Sequence, residues 1–155
     1  MRIDIQKATV EDIDTLVEFN RAMALETEGR SLPMDDVSRG VRAVFDSPEK
    51  GWYLIARHDG APAGSLLVTP EWSDWRNADY WWIQSVYVRP EHRGKGIYKA
   101  LHRRIEDLAR KSEGVCGLRL YVDTDNSTAK TVYEKLGLAP SRYDMYEIDG
   151  LSEDE

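Results

Sequence analysis

Apolar and polar positions follow two different periods along this chain, and the changes of period predict its helices and strands. Alternation with period two, or a continuous apolar run, predicts strands at residues 2–7, 52–57, 64–69, 80–88, 117–122 and 142–148. Apolar residues at helical spacing predict four helices, which begin after Asp12, Pro33, Gly96 and Asn126. The predicted order is β-α-α-β-β-β-α-β-α-β, which places the chain in the α/β (α+β) class.

The length and composition of the chain fit one domain. A chain of 155 residues can bury roughly two-thirds of its unfolded surface, and we expect a single domain over residues 1–149 with an acidic tail at residues 150–155. No apolar run approaches the roughly 18 residues of a membrane span, so we expect no membrane association. The single cysteine, Cys116, excludes an internal disulfide and suits a reducing cytoplasm, where we expect the protein to reside.

The net charge of the chain argues against one large class of partners. At −7, the chain is not expected to bind nucleic acid, because neutralising phosphate backbones requires a basic surface. The histidines His58, His92 and His102 lack the spacing of metal ligands, and we expect no metal. A small molecule is therefore the expected partner.

One segment in the second half of the chain combines a strand end, a glycine turn and a basic helix start. The turn contains Gly94 and Gly96, and the helix start carries Arg93, Lys95 and Lys99. Helices ordinarily place acids against the positive end of their dipole, so a basic start predicts an external anion such as a phosphate. The dinucleotide fingerprint and the P-loop do not fit, because the third glycine and a Gly-Lys-Ser/Thr sequence are both missing. A strand–turn–helix without a ligand is the structural alternative.

A second segment repeats the strand-then-helix pattern further along the chain. Residues 117–122 alternate as a half-buried strand should. Asp125 or Asn126 can cap the helix that follows, and Gly137 supplies its C-terminal stop. Tyr133 lies on the apolar face of that helix, where a packed core tyrosine is the alternative to a functional one.

Together these two segments resemble the GNAT superfamily of acyl-CoA N-acyltransferases. Arg93-x-x-Gly96-x-Tyr98 follows a strand ending in Val-x-Val-x-Pro and is similar to the family's pyrophosphate-binding motif, Gln/Arg-x-x-Gly-x-Gly/Ala. Tyr98 departs from that motif, which has Gly or Ala there. From Asn126 to Leu138 the chain matches in full the family pattern Asn-x-x-Ala-x-x-x-Tyr-x-x-x-Gly-Leu/Phe. The resemblance covers most of the chain.

The resemblance implies a fold, a cosubstrate and a set of binding residues. The implied fold is a mixed central sheet flanked by helices, in which the strands at 80–88 and 117–122 splay apart around the pantetheine arm of acetyl-CoA. A backbone amide of the first strand would stabilise the negative oxygen that develops during acyl transfer. The residues expected to bind acetyl-CoA are Val86, Tyr87, Val88, Arg93, Gly94, Lys95, Gly96, Ile97, Tyr98, Lys99, Asn126 and Tyr133.

The implied reaction is direct attack of a neutral primary amine on acetyl-CoA. Tyr133 is the implied general acid that protonates the departing thiolate, since a phenol stays protonated at pH 7. A base must take the proton of the amine. At the position where some polyamine-type members have Glu, this chain has Gln84, which can hold a water. Other candidates, each also explicable as a solvated surface carboxylate, are Glu26, Glu28, Glu71 and Asp74.

The predicted loop at residues 71–77 is the main substrate-side feature. It interleaves tryptophans with acids, and a tryptophan face beside a carboxylate suits an ammonium group. We therefore expect a small, cationic amine as the acceptor. Its candidate binding residues are Glu26, Glu28, Trp72, Asp74, Trp75 and Gln84. As an alternative, the two tryptophans cover a sheet edge or a dimer interface.

Two functions follow from these expectations. The first is an N-acetyltransferase, and the second is a non-catalytic acyl-CoA-binding sensor or scaffold. Asn126 and Tyr133 favour the enzyme, whereas Tyr98 and the lack of an obvious base keep the second function open. The sequence does not choose among polyamines, amino acids, aminoglycosides and protein N-termini. We also expect a homodimer, because the chain has more exposed aromatic residues than a small monomer leaves in water.

Overall fold

A five-stranded sheet, whose strands lie side by side in the same order as along the chain, organises the first part of the chain. The structure is a computed structural model that describes residues 1–152, so residues 153–155 of the predicted acidic tail lie outside the described part. The chain divides into two compact units, Met1–Tyr121 and a second unit that begins at Val122. The expectation of a single domain over residues 1–149 stays a prediction.

The helices and strands follow the predicted order up to the fourth helix. The first unit contains β1 (Ile3–Lys7), α1 (Ile13–Glu28), α2 (Met34–Asp46), β2 (Trp52–His58), β3 (Ala61–Ser73), β4 (Ala78–Val88), α3 (Ile97–Lys111) and β5 (Val115–Arg119). The second unit contains α4 (Ser127–Lys135). The pairs β1–β2, β2–β3 and β3–β4 are antiparallel and the pair β4–β5 is parallel, so the sheet is mixed, as expected.

Helices cover both faces of the sheet because neighbouring strand residues point to opposite faces. On one face, the α3 residues Leu101 and Ile105 pack against Leu54 and other strand residues. On the other face, α1 and α2 pack around Tyr53, the neighbour of Leu54 in β2. A fully buried side chain of this size contributes about 1.5–3 kcal/mol to folding. The two packed layers therefore hold β4, the strand at the centre of the candidate site, between helices on both sides.

Two secondary-structure predictions are wrong. Residues 71–73 belong to β3 instead of a loop, and the connection to β4 is a tight turn in which Asn77 has a positive φ of 47°. The strand predicted at residues 142–148 is absent, and Tyr146 and Ile148 are 90% and 82% exposed. Alternation favours a strand only where a neighbouring strand completes the hydrogen-bond ladder. Here the backbone N–H of Tyr143 bonds instead to the Ser141 hydroxyl, at 3.2 Å.

Candidate functional site

Strand β4 contains a bulge at Ser85. Ser65 pairs with Tyr87 and Leu67 with Gln84, so the single residue between them on β3 faces two residues on β4. Ser85 has a φ of 51°, in the left-handed region that a non-glycine residue adopts only at a cost of about 1–3 kcal/mol. Such bulges turn backbone groups away from the ladder and often lie beside active sites. The sequence carries a signal for this one, since Gln84 and Ser85 place two polar residues in succession within an otherwise apolar and aromatic strand.

The parallel pairing of β4 with β5 stops just before this bulge. The paired residues run from Asp79 with Val115 to Trp82 with Arg119. Beyond Trp82, no strand among residues 1–152 pairs with this edge of β4. Val86, Tyr87 and Val88, which are predicted to bind acetyl-CoA, lie on this unpaired stretch. An extended ligand with amide groups can hydrogen-bond to such an edge as an added strand would.

The start of α3 has the features of an anion site. Gly94 and Gly96 have φ values of 76° and 81°, and a Cβ built on either residue would meet no atom within 4 Å. The first turn of the helix contains no acidic residue, whereas Lys95 and Lys99 are exposed beside it. The first helical hydrogen bond runs from the Ala100 N–H to the Gly96 carbonyl, so the preceding N–H groups have no carbonyl of a previous turn to bond to. These N–H groups, the helix dipole and the lysines suit a phosphate.

Arg93 forms hydrogen bonds with other residues of the same chain. Its two Nη atoms lie 2.6 and 2.8 Å from the Glu26 carboxylate oxygens, and its Nε donates to the Val88 carbonyl at 2.9 Å. Its backbone N–H donates to the Pro90 carbonyl. Arg93 therefore joins α1 to the turn before α3. Direct phosphate binding by Arg93 stays a prediction, and it would require exchanging one of these partners.

A second arginine strengthens the same connection. Arg89 lies 3.2 Å from Glu18 on α1, and its guanidinium stacks over the Phe19 ring at 5.0 Å. Phe19 in turn contacts Tyr87 of β4, with ring centroids 5.3 Å apart. The positive charge near the anion site thus comes from the lysines rather than from Arg89 and Arg93.

Tyr98 points its side chain toward the core. It is half-buried and packs against the hydrophobic cluster around Leu101, and its hydroxyl lies 3.4 Å from His102 Nδ1. The phenol ring therefore occupies core space beneath α3. A tyrosine at this motif position is compatible with an open anion site, because only its backbone belongs to the first helical turn.

A cleft of about 280 Å3 opens beside the Ser85 bulge. Its lining combines residues from α1, the loop after it, α2 and β2 with the bulge itself: Asn20, Met23, Leu32, Val37, Gly40, Val41, Tyr53 and Ser85. No local sequence pattern marks these residues as a group, because only the folded chain brings them together. The cleft and the unpaired edge of β4 meet at the bulge, so two ligands could approach each other there.

None of the predicted substrate residues lines this cleft. Trp72 pairs with Asp79, which is six residues from Ser85 and therefore about 20 Å away along the strand. Asp74 and Trp75 lie in the turn beyond them, and Trp75 is 91% exposed. The hairpin tip is thus remote from the bulge.

The remaining acceptor-side candidates have structural partners or lie in solvent. Gln84, next to the bulge, donates its amide to the Thr69 hydroxyl at 2.6 Å. Glu28 is exposed at the end of α1. The Arg93 hydrogen bond lowers the pKa of Glu26, and hydrogen bonds from Trp82 and Arg119 lower the pKa of Glu71. A lowered pKa makes each of these carboxylates a weaker base.

The second unit holds the remaining predicted residues on α4. Asn126 caps the helix, its side-chain oxygen accepting the Ala129 N–H at 3.0 Å, so the open choice between Asp125 and Asn126 as cap resolves to Asn126. Gly137, with a φ of 98°, follows the helix end, as expected. Burial raises the pKa of the Tyr133 phenol above its ordinary value. Tyr133 is therefore a proton donor throughout the neutral range, and its binding and catalytic roles, like cofactor binding by Asn126, stay predictions.

Comparison with known families decides the classification. Residues 18–138 match the profile of the Acetyltransferase (GNAT) family. The chain belongs to the GNAT family. The matched region runs from within α1 to just beyond Gly137, and so includes the bulge, the anion site and α4 of this GNAT protein.

The GNAT protein is similar to curated acetyltransferases of two kinds. It is 36% identical over 119 residues to the mycothiol acetyltransferase of Kocuria rhizophila, covering 62% of this chain and 39% of that protein. It is 30% identical over 108 residues to the L-methionine sulfoximine/L-methionine sulfone acetyltransferase of Salmonella typhimurium, covering 62% and 61%. The alignments to the mycothiol acetyltransferases span only 34% to 43% of their length.

Solved structures confirm the fold of this GNAT protein. A structure described as a possible acetyltransferase from Clostridium difficile 630 is 40% identical, with a TM-score of 0.90, covering 97% of this chain and 99% of that one. A predicted acetyltransferase from Clostridium acetobutylicum, solved with acetyl-CoA, shares the fold at 17% identity and a TM-score of 0.76, covering 96% of each chain. No helix within residues 1–152 has the length and apolar character to cross a membrane.

Proposed function

We propose that this protein transfers the acetyl group of acetyl-CoA to a primary amine of a small molecule. The observation that carries the proposal is the unpaired edge of β4, which runs from the bulge beside an open cleft to the turn before the anion site on α3. A ligand with a phosphate at one end and a thioester at the other can lie along this edge. A second ligand in the cleft then meets the thioester at the bulge.

The residues along this edge fit acetyl-CoA. The pyrophosphate is proposed to lie against the N–H groups from Gly94 to Lys99, with Lys95 and Lys99 beside it. The two amides of pantetheine would pair with the backbone of Val86 and its neighbours. Backbone N–H groups turned outward at the bulge could stabilise the developing negative oxygen, an effect worth about 2.7–4 kcal/mol in other acyl-transfer enzymes.

The amine must lose a proton before it attacks. Glu26 and Glu71 are weak bases here because their neighbours lower their pKa values. We propose that a water held at Gln84 accepts the proton, since Gln84 donates its amide to Thr69 and keeps its carbonyl oxygen as an acceptor. At the other side of the reaction, Tyr133 is proposed to protonate the departing thiolate, because its raised pKa keeps its proton in place.

The names of the relatives widen the range of acceptors to test. The chain is similar to mycothiol acetyltransferases and to an enzyme named for L-methionine sulfoximine and L-methionine sulfone. The cleft contains no carboxylate that would select a second positive charge on the acceptor. The expectation of a cationic amine therefore has no support from the lining of the cleft.

Acetyl transfer can be tested with a panel of small amines, amino acids and antibiotics. Each compound is incubated with acetyl-CoA, the released thiol is read colorimetrically, and the acetylated product is identified by mass spectrometry. We expect amine-dependent thiol release for at least one class. If acetyl-CoA binds in isothermal titration but no amine gives product above background hydrolysis, the protein is a non-catalytic acyl-CoA-binding domain instead.

We also propose that the protein forms a homodimer. The support is aromatic surface left in water: Trp75 is 91% and Tyr146 is 90% exposed, and Trp72 and Tyr143 are each 63% exposed. Burying such side chains against a second copy is favourable. Sedimentation equilibrium at micromolar concentration should give twice the chain mass of 17.8 kDa. A single species at the chain mass would contradict the proposal.

A further inference from the structure

The walls of the cleft beside Ser85 are apolar. Met23, Leu32, Val37 and Val41 supply most of its side chains, and none of its eight lining residues is charged, although 28 of the 155 residues are Asp or Glu. Desolvating an unpaired charge in such surroundings is strongly unfavourable. Two of its polar side chains, Tyr53 and Asn20, hydrogen-bond to each other. The group that enters the cleft is therefore apolar.

Gly40 lines the cleft from α2. It lies inside α2 with an ordinary helical backbone, and a Cβ built on it would meet no atom within 4 Å. Glycine inside a helix is less stable than alanine, and no turn or positive φ requires it here. Gly40 is exposed, so a larger side chain at this position would extend into the open space beside the cleft. At about 280 Å3 the cleft lies just below the range of about 300–1,000 Å3 typical of drug-sized ligands, which suits a molecule of amino-acid size.

Arg21 is hydrogen-bonded to Leu32, a lining residue of this cleft. It is half-buried on α1, between the lining residues Asn20 and Met23, and its Nε donates to the carbonyl of Leu32 at 3.1 Å. Among residues 1–152, no carboxylate lies within ion-pair distance of Arg21, in contrast to Arg89 and Arg93 on the neighbouring turn. The planar guanidinium matches the geometry of a carboxylate.

We infer that the acceptor is an α-amino acid with an apolar side chain, which enters the cleft while Arg21 binds the carboxylate. The amine then lies toward the bulge. This inference rests on the proposed acetyl transfer and names its acceptor. In the reaction, the amine nitrogen bonds to the acetyl carbonyl carbon and the carbon–sulfur bond breaks, its electron pair leaving with sulfur. The ammonium loses two protons, of which the thiolate takes one and water the other.

Acceptor preference is the first test. The kcat/KM of acetylation is compared for L-leucine, L-lysine and 3-methylbutylamine, which is leucine without its carboxylate. L-Leucine should exceed each of the other two about tenfold or more, because one carries a charge into the cleft and the other lacks the carboxylate. A kcat/KM for L-lysine or 3-methylbutylamine that equals or exceeds the value for L-leucine overturns the inference.

Variants at Gly40 and Arg21 test the two contacts separately. Gly40→Leu should lower the ratio of kcat/KM for L-leucine over L-alanine about tenfold or more, whereas Arg42→Leu, exposed on the same helix, should not. Gly40→Ala should raise the thermal midpoint by about 2–4 °C, which would show that glycine is not needed for folding.

Arg21→Gln should lower the preference for L-leucine over 3-methylbutylamine about 10- to 100-fold, with the exposed Arg30→Gln as control. Unchanged ratios in Gly40→Leu and Arg21→Gln overturn the inference.

Binding without acetyl-CoA separates this inference from the proposed function. Isothermal titration measures L-leucine against the wild-type protein and the Gly40→Leu variant. Binding that the variant loses, without any acetylated product in the full assay, means that the amino-acid site stands and acetyl transfer fails. Acetylation of other amines, with L-leucine neither bound nor acetylated, means the reverse.

Discussion

Replacing Gly96 by glutamate should abolish acetyl-CoA binding. The side chain would place bulk and a negative charge at the start of α3, where the structure has open space, exposed lysines and a positive helix end. Charge-assisted hydrogen bonds to the pyrophosphate are then replaced by repulsion, and we expect affinity to fall by a factor of about 100 or more. Isothermal titration with acetyl-CoA measures the effect.

Gly114 offers a matched control for this substitution. Its φ of 82° is nearly that of Gly96 at 81°, and a Cβ built on it also meets no atom within 4 Å. It lies beyond the other end of α3, so Gly114→Glu adds similar backbone strain and the same charge away from the anion site. Gly114→Glu should bind acetyl-CoA like the parent protein. Equal affinities for the parent and Gly96→Glu would show that the pyrophosphate lies elsewhere.

Replacing Tyr133 by phenylalanine should lower kcat while leaving acetyl-CoA affinity nearly unchanged. The substitution keeps the ring and removes the proton proposed to go to the thiolate. General acid catalysis is typically worth about 10²–10⁴-fold, and we expect a loss within that range. Stopped-flow or steady-state thiol release gives kcat, and isothermal titration gives the affinity. Tyr146→Phe, at a 90% exposed position, is the control and should keep the parental kcat.

The pH profile gives a second test of Tyr133. A general acid must be protonated, and burial raises the pKa of this phenol. The group therefore stays protonated between pH 7 and 9 and should cause no fall in kcat in that range. A well-folded Tyr133→Phe variant with a near-parental kcat would remove Tyr133 from the mechanism.

Periodicity predicted most of the fold because it reports directly which face of each element is buried. The stripe of apolar residues on α3 and the apolar residues of β4 lie in one buried cluster, as their periods predict. The prediction of a strand at residues 142–148 was wrong because periodicity reports only part of what a strand needs. Alternation describes what a strand could bury, and it contains no information on whether a partner strand is present.

The features that predict a phosphate site are local in the sequence, and binding of acetyl-CoA at this site stays a prediction. Gly94, Gly96 and the two lysines lie within six consecutive residues, and the structure keeps them together at the start of α3. The acceptor side depends on register and on the approach of distant segments. The pairing of Arg93 with Glu26 joins residues 67 positions apart, and the cleft unites α1 with the bulge at Ser85. No local pattern reports such contacts, so the sequence pattern points instead to the hairpin tryptophans, Trp72 and Trp75, which the structure places away from the cleft.

The strained serine of β4 makes stability and function compete at one position. Keeping Ser85 in the left-handed region costs about 1–3 kcal/mol, which is a sizeable fraction of a typical free energy of unfolding of about 5–15 kcal/mol. Glycine would adopt that conformation without the penalty, so a laboratory screen for heat tolerance alone would tend to enrich the Ser85→Gly substitution. With glycine at this position the bulge could also flatten. A selection of this protein for thermal stability should therefore measure kcat at the same time.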